Sequence, residues 1–595
     1  MTSQPIETRV LDWLGRHWKT VTLLAWVAIC AVLVLQRWAD IHSFELGDTD
    51  DNMRIMQVRA WLGGQDWFDL HQYRLAGSNI HWSRLVDLPI AALILGLRLF
   101  MGAAGAERWA VAIAPLLPCL LMLFSVALTV RRLIDPRACA AAFLALFFAA
   151  STNSMFMPER IDHHGWQLAL LALAIAALAD PKRMRGGITL GVATALSLAI
   201  GLEMLIYLAI AGAAVALFWI ADRDERDRLT GYAVTLSSVT GLAYVLFASY
   251  ANRGVVCDAL SAVWLSDALL GGALLFALSW LSPASWKARL GLALGTGLIV
   301  AAFHAFMFPH CLTRLEGVSP EVDRLWLSHV SEARPVYKHD WQVAALTLAL
   351  PLTGTLGWLL LAWFRRQDGD QLRRALAAAA PSVAATLLLF WQIRTAPAAQ
   401  MLAVPGAAAL VSLFAPRTWN SGRAAVRVLG TCAIVIMGIG AAVPLALAFV
   451  PAQKDGATKS VDHANGSCNA LSSYGPIGSQ PKGVVFTFID IAPRLITVTH
   501  HDSITGPYHR NGQQIADVMN AFRGSEAQAH ALIGKYHSAY VLTCPGSSET
   551  TIFLGEAPNG FYAQLERGQV PAWLSPVSLP AGSPFKMWRV IVSSR

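Results

Sequence analysis

Over the first three quarters of the chain, apolar positions form unbroken runs of about 18–25 residues that stop at short polar connections. Runs of that length cross a hydrocarbon core as helices, because every backbone polar group must be paired inside the bilayer. The pattern predicts spans at 20–38, 108–130, 138–152, 165–180, 187–202, 203–221, 230–250, 266–281, 289–307, 341–363, 375–391, 398–415 and 424–450. The run 88–102 is apolar but short, so it is expected as a helix on the membrane surface. From 451 the pattern changes. Lys482 to Ile489 and Ala539 to Cys544 read as strands, and 511–536 reads as amphipathic helix. Alternating strand and helix predicts an α/β domain over 451–595 behind a membrane domain over 1–450.

Composition agrees with the pattern. Of 595 residues, 55% are hydrophobic and 14% charged, too apolar for a soluble protein of this size. The formal charge of +8 does not point to nucleic acid, because the basic residues sit in short connections between spans. Arg131, Arg132 and Arg137, Lys182, Arg183 and Arg185, Arg223, Arg226 and Arg228, Lys287 and Arg289, Arg365 to Arg374, and Arg417 to Arg427 fall on alternate connections. With the N-terminus in the cytoplasm this obeys the positive-inside rule. Segments 39–107, 151–164, 308–340 and 451–595 then share the outer face. No small-residue cleavage site follows the first apolar run before Gln36, so that run is expected to stay as a span. Cys30, Cys119, Cys139 and Cys432 lie in apolar runs. Cys257, Cys311, Cys468 and Cys544 lie outside, where an oxidising compartment permits disulfides, and Cys468–Cys544 is the preferred pair over free thiols.

Three polar islands interrupt this apolar background: Gly47-Asp48-Thr49-Asp50-Asp51-Asn52-Met53-Arg54, Arg160-Ile161-Asp162-His163-His164 and Ser331-Glu332-Ala333-Arg334-Pro335. Charge at the edge of a membrane is costly unless paired or ligated, so such islands mark function by default. Asp48, Asp50 and Asp51 repel one another unless a cation is present, and hard divalent ions prefer oxygen ligands. A solvated acidic turn accounts equally for that island alone. Asp162 with His164 suits a metal, and a helix cap is the alternative. Glu332 sits in an outer loop too long for a plain connector, although pairing with Arg334 on the surface would also explain it. Arg394, at the outer end of a span, suits a lipid-linked phosphate or snorkels to the interface.

In this order the islands resemble the catalytic subunit of the oligosaccharyltransferases (the eukaryotic STT-type subunit, the archaeal enzymes and their bacterial counterpart) and, more broadly, the GT-C membrane glycosyltransferases. Asp48 and Arg54 match the family's Asp and the Arg six positions later, Asp162-His163-His164 matches its Asp-His-His motif, and Ser331, Glu332 and Pro335 match its Ser-Glu-His-Gln-Pro stretch. The family's Trp-Trp-Asp acceptor signature has no counterpart after 451, where Trp573 and Trp588 stand alone. The polar stretch from His500 to Asn511 lies in its place, lining the acceptor side or, as the simpler expectation, forming a solvated loop.

The resemblance implies a GT-C fold of about thirteen transmembrane helices, a periplasmic C-terminal domain, and an inverting sugar transfer from a polyprenyl-(pyro)phosphate donor at the outer face of a bacterial inner membrane. The acceptor would be a glycan, lipid or protein. Asp48, Asp162 and Glu332 would be catalytic. Mn2+ or Mg2+ would be held by Asp48, Asp162 and His164, with Glu332 joining as the 308–340 loop closes. Arg394 would bind donor phosphate, and Asp50, Asp51, Arg54 and His163 would assist. A transporter or flippase for a lipid-linked or polysaccharide substrate is the alternative, disfavoured because the acids cluster outside the spans and no inverted repeat is visible.

Overall fold

The computed structural model describes residues 12–450 and 456–591. The expected cytoplasmic N-terminus at residue 1 and the segment 451–455 at the expected domain boundary lie outside the described residues. Each apolar run forms helix. Among the described residues, seven helices are long and apolar enough to cross a membrane: Trp18–Gln36, Ala103–Leu133, Arg223–Phe247, Ala262–Leu281, Trp286–Met307, Trp341–Phe364 and Ile393–Trp419. The expected span at 138–152 is a pair, Pro136–Phe147 and Ala150–Phe156, bent by 79°. Shorter apolar helices at His164–Leu178, Leu205–Ala221 and Val426–Gly438 underlie three further expected spans. Helices Arg183–Ile200 and Gly369–Leu388 underlie the remaining two. The run at 88–102 belongs to the helix Arg84–Leu97.

Small residues let these helices approach closely, as packing between membrane helices requires. A side chain at Gly354, Gly357 or Gly406 would collide with the backbone of the facing helix, which seats Trp341–Phe364 directly on Ala396–Trp419.

The bundle has two chemically distinct ends. At one end the basic connections interlock: Arg132 pairs with Asp180 at 2.9 Å, Arg183 with Asp222 at 3.0 Å, and Arg373 with the same Asp222 at 3.5 Å. The helix His164–Leu178 runs from the Asp-His-His island to this cluster. At 1.5 Å rise per residue, it separates the two ends by roughly 22 Å.

The other end carries the polar islands and the region 456–591. Strands β1 (His71–Gln72) and β2 (Ser78–Asn79) form a small hairpin in the first outer segment. Beyond 456, β3 (Val484–Phe486), β4 (Asp502–Ser503), β5 (Tyr540–Thr543), β6 (Leu574–Val577) and β7 (Lys586–Val590) form a sheet of order β4-β3-β5-β7-β6. Its first three strands are parallel and its last three antiparallel. The expected helix 511–536 is two, Gly512–Arg523 and Glu526–Lys535, broken at Gly524. Phe486, Phe488, Phe522 and Phe553 fill the core between sheet and helices. Cys468 and Cys544 are bonded, the pair expected, and Cys257–Cys311 forms a second bridge.

The outer loop 308–340 is not structureless. Its helix Pro320–Leu325 buries Val322 and Leu325 in the core of the β3–β7 region, and Glu321 accepts a hydrogen bond from Asn520 at 2.9 Å. Apolar positions at 322 and 325, one helical turn apart, explain the anchorage.

Candidate active site

The site starts at a helix N-terminus. Asp48 has extended backbone and caps the helix Thr49–Leu62, its Oδ1 accepting from the Thr49 amide at 2.6 Å. Asp50 and Asp51 fall in the first turn, where the unpaired amides of the helix favour negative charge. Arg54, one turn on, is buried rather than presented to a ligand. It pairs with Asp87 at 2.9 Å and lies 4.3 Å over the ring of Trp82, so it holds the helix in place.

The second island closes on the first through Arg160. Its guanidinium reaches Asp48 at 2.7 Å, Asp51 at 3.2 Å and Asp162 at 2.8 Å. The Asp162 amide donates to Asp51 Oδ1 at 3.0 Å, and Asp162 Oδ1 accepts from the His164 amide, also at 3.0 Å. Two features aim this segment. Glu159 has φ +73°, a conformation unfavourable for a side-chain-bearing residue, and its carboxylate is held by Arg37 at 3.1 Å. Gly165 lets the helix of His164 approach the Met155 carbonyl, 2.8 Å from where a Cβ would stand. His163 turns away to Glu203, with Nε2 2.9 Å from Oε1.

Three carboxylates therefore surround one guanidinium, and Asp50 lies in the same electrostatic field. Burial, and next the charges of Asp48 and Asp162, push Asp50 well above the ordinary carboxylate range. Burial likewise pushes Asp51 up to about 7 against the pull of Arg160. Burial opposes the charge of Asp162, yet Arg160, His164 and His163 hold that carboxyl well below its usual range. The cluster retains more acid than it can keep ionised with one arginine, the condition that a bound cation relieves. Ligand atoms from Asp50, Asp162 and His164 lie within 4.8 Å of one another, and two carboxylates with an imidazole suit a divalent metal.

No protein-family model matches the sequence, and no curated protein matches it. Solved structures do. The archaeal oligosaccharyltransferase AglB from Archaeoglobus fulgidus, in complex with an inhibitory peptide and a dolichol-phosphate, superposes with a TM-score of 0.66 at 16% identity, over 96% of this chain and 74% of that one. The same organism's enzyme tethered to an acceptor peptide containing the NVT sequon gives 0.66 at 16% identity, over 97% and 74%. Its complex with Zn and sulfate gives 0.59 at 16% identity, over 88% and 67%. The chain shares the fold of this archaeal oligosaccharyltransferase.

Within this fold the expected site residues divide. Asp48, Asp162 and His164 do converge, but Asp50 stands in the ligand group where Asp48 was expected. Asp48 is the cap residue, its Oδ1 turned to the helix N-terminus and its Oδ2 to Arg160, and it is Asp50, in the first turn, whose carboxylate comes within reach of Asp162 and His164. Glu332 is not brought to the cluster. It is exposed on the turn Ser331–Ala333, which packs on the turn Ile393–Thr395. Arg394 lies on that same turn and pairs with Glu316 of the outer loop at 3.2 Å.

The polar stretch 500–511 is a buried joint rather than a solvated loop. Tyr508 donates to the Thr49 carbonyl at 3.1 Å, and Arg74 pairs with Asp502 at 3.1 Å. The helix Ala492–Val498 packs on Thr49–Leu62, with Thr497 donating to the Asn52 carbonyl at 3.3 Å.

Sequence reasoning gave no role to Arg160, Glu203, Asp490 or Arg494. Arg160 had a usable signal, because it is the one strong base in an island facing three acids. Glu203, interrupting two apolar runs, had another. Asp490 and Arg494 enter the field of Asp48 through tertiary packing alone.

Proposed function

We propose that this GT-C protein is a metal-dependent glycosyltransferase. It moves a sugar or oligosaccharide from a polyprenyl-(pyro)phosphate donor to an acceptor at the periplasmic face of a bacterial inner membrane. The observation that carries this reading is the closure of Asp48, Asp51, Arg160 and Asp162 into one cluster at the end of the bundle opposite the basic connections. The fold supports it, since the archaeal enzyme of like fold has been seen with dolichol-phosphate, with acceptor peptide and with Zn. Thirteen spans, with 456–591 as a periplasmic α/β domain, complete the proposal.

Asp50, Asp162 and His164 are the residues to hold Mn2+ or Mg2+. When bound, that ion neutralises charge developing on the leaving phosphate. Asp48, with 44% of its side chain exposed and its charge held by Arg160, is placed to orient an acceptor nucleophile and accept its proton. Arg394 offers a planar fork to the donor phosphate once Glu316 releases it. Glu332 sits on a turn packed against the Arg394 turn, so movement of the loop between its anchor at Val322 and the helix Trp341–Phe364 would bring Glu332 toward a donor held by Arg394.

The test is transfer from polyprenyl-phosphate- and polyprenyl-pyrophosphate-linked sugars in proteoliposomes, read by mass spectrometry of product. Asp162→Ala and His164→Ala should abolish transfer while leaving expression and insertion unchanged. EDTA should stop the wild type, and Mn2+ or Mg2+ should restore it. Full activity in Asp162→Ala, or indifference to EDTA, would sink the metal site. Movement of an intact donor across the membrane with no covalent change would replace the reading with a flippase.

A further inference from the structure

A second group of metal-type side chains lies at the same end of the bundle, and the proposed transfer assigns it no role. His81 follows the β1–β2 hairpin, Asp258 sits in the connection before Ala262–Leu281, and His509 opens the turn His509–Asn511. Their ligand atoms lie within 4.8 Å of one another. His509 Nε2 is 2.6 Å from Asp258 Oδ2, and the rings of His81 and His509 are 4.5 Å apart between centroids. His81 Nδ1 is buried and has no hydrogen-bond partner. An orphaned buried nitrogen is costly in a folded protein unless something ligates it.

The surroundings have the features of a supported metal site. Arg510 grips Asp258 with two hydrogen bonds, 2.7 Å to Oδ2 and 2.6 Å to Oδ1, fixing the carboxylate as an outer partner fixes a metal ligand. The disulfide Cys257–Cys311 anchors the backbone beside Asp258. Asn252 donates to the His81 carbonyl at 3.1 Å, and Asn511 accepts from the Asn79 amide at 2.9 Å. Three segments far apart in sequence are thus held in place with their donors converging.

We infer that His81, Asp258 and His509 form a Zn2+ site that clasps the region beyond 456 to the membrane-embedded part of the chain. Two imidazoles and one carboxylate are a donor set of the kind Zn2+ takes, and one to which Mg2+, which prefers oxygen, is poorly matched. The site shares no residue with the Asp50–Asp162–His164 group, so different variants test the two.

The experiment uses the full chain in detergent, stripped with chelator, in an Asp50→Ala/Asp162→Ala/His164→Ala background that removes the first site. Equilibrium dialysis against micromolar free Zn2+ should leave one Zn2+ per chain. The thermal midpoint of this background should rise with Zn2+. Adding His81→Gln, or separately Asp258→Asn, should remove both the bound ion and the Zn2+-induced rise, with size-exclusion and circular-dichroism profiles unchanged. Absence of bound Zn2+ in the background, or retention of it in either folded variant, would overturn the site. Should one variant fail to fold, the other decides.

Discussion

Arg160 is the residue on which the cluster's charge balance turns. It is largely buried and touches three carboxylates, two of them fully buried. Removing one partner of a buried ion pair typically costs about 3–5 kcal/mol, because the remaining charge keeps its desolvation penalty. Arg160→Met should therefore lower the thermal midpoint in EDTA, and Mn2+ should recover more of it than it adds to the wild type. Equal Mn2+ shifts in the two proteins would show that the guanidinium and the ion do not serve the same carboxylates. The pH dependence comes from Asp50 and Asp51. A carboxyl raised in the folded state contributes stability below its ordinary value near 4, and that contribution is lost as pH rises, for Asp51 through about 7. Metal-free protein should thus lose stability from pH 4 to 7. A cation must displace those protons, so Mn2+ affinity should rise over the same interval and above it, by up to about tenfold per pH unit for each proton displaced. Titration calorimetry at pH 6, 7 and 8 checks the sign. Affinity independent of pH would mean that neither carboxyl meets the ion.

At the scale of elements, the site is two helix starts held against each other: Thr49–Leu62, capped by Asp48, and His164–Leu178, entered through Asp162. Both were legible as polar islands before helix, because capping residues and metal-type residues share the same short polar chemistry. That overlap also explains why spacing points to Asp48 where the ligand-spaced group contains Asp50. Asp48 and Asp50 are indistinguishable by composition, and only the φ/ψ of the cap decides which one is free. The position of Glu332 away from the cluster was not legible for a related reason: sequence spacing gives the loop but not the apolar anchor at Val322 and Leu325, whose partners lie in the region beyond 456. Gly165 tests the pairing of the two helix starts. A Cβ there would stand 2.8 Å from the Met155 carbonyl, so Gly165→Ala must shift the helix that carries His164. Misplacing a site residue by about 1 Å can cost on the order of 100-fold in rate. The variant should insert normally and bind Mn2+ at least tenfold more weakly. Unchanged Mn2+ affinity would show that the close approach does not position His164.

For the whole molecule, the apolar runs and the alternation of basic connections predicted which connections lie together, and contacts that spacing cannot supply agree with the grouping. Residues from 39–107, 151–164, the connection at 258 and the region beyond 456 meet at one end. Connections bearing Arg132, Arg183 and Arg373 meet at the other. Long apolar runs carry this information because each must cross, so each puts the next connection on the opposite face. The sheet order beyond 456 was not legible, since short strands of similar composition do not encode their neighbours. Which end faces the cytoplasm is a question of charge, and in the proposed topology it is the basic end. Single cysteines placed in a background lacking the exposed Cys432 test that assignment. Tyr73 is 68% exposed at the acid-cluster end, and the Asp224 side chain is 78% exposed at the basic end. In intact spheroplasts, Tyr73→Cys should react with a membrane-impermeant maleimide, whereas Asp224→Cys should react only after permeabilisation. The reverse pattern would turn the acid cluster toward the cytoplasm, where a donor would have to be met before it is flipped, and the periplasmic assignment would fall although the cluster itself would stand.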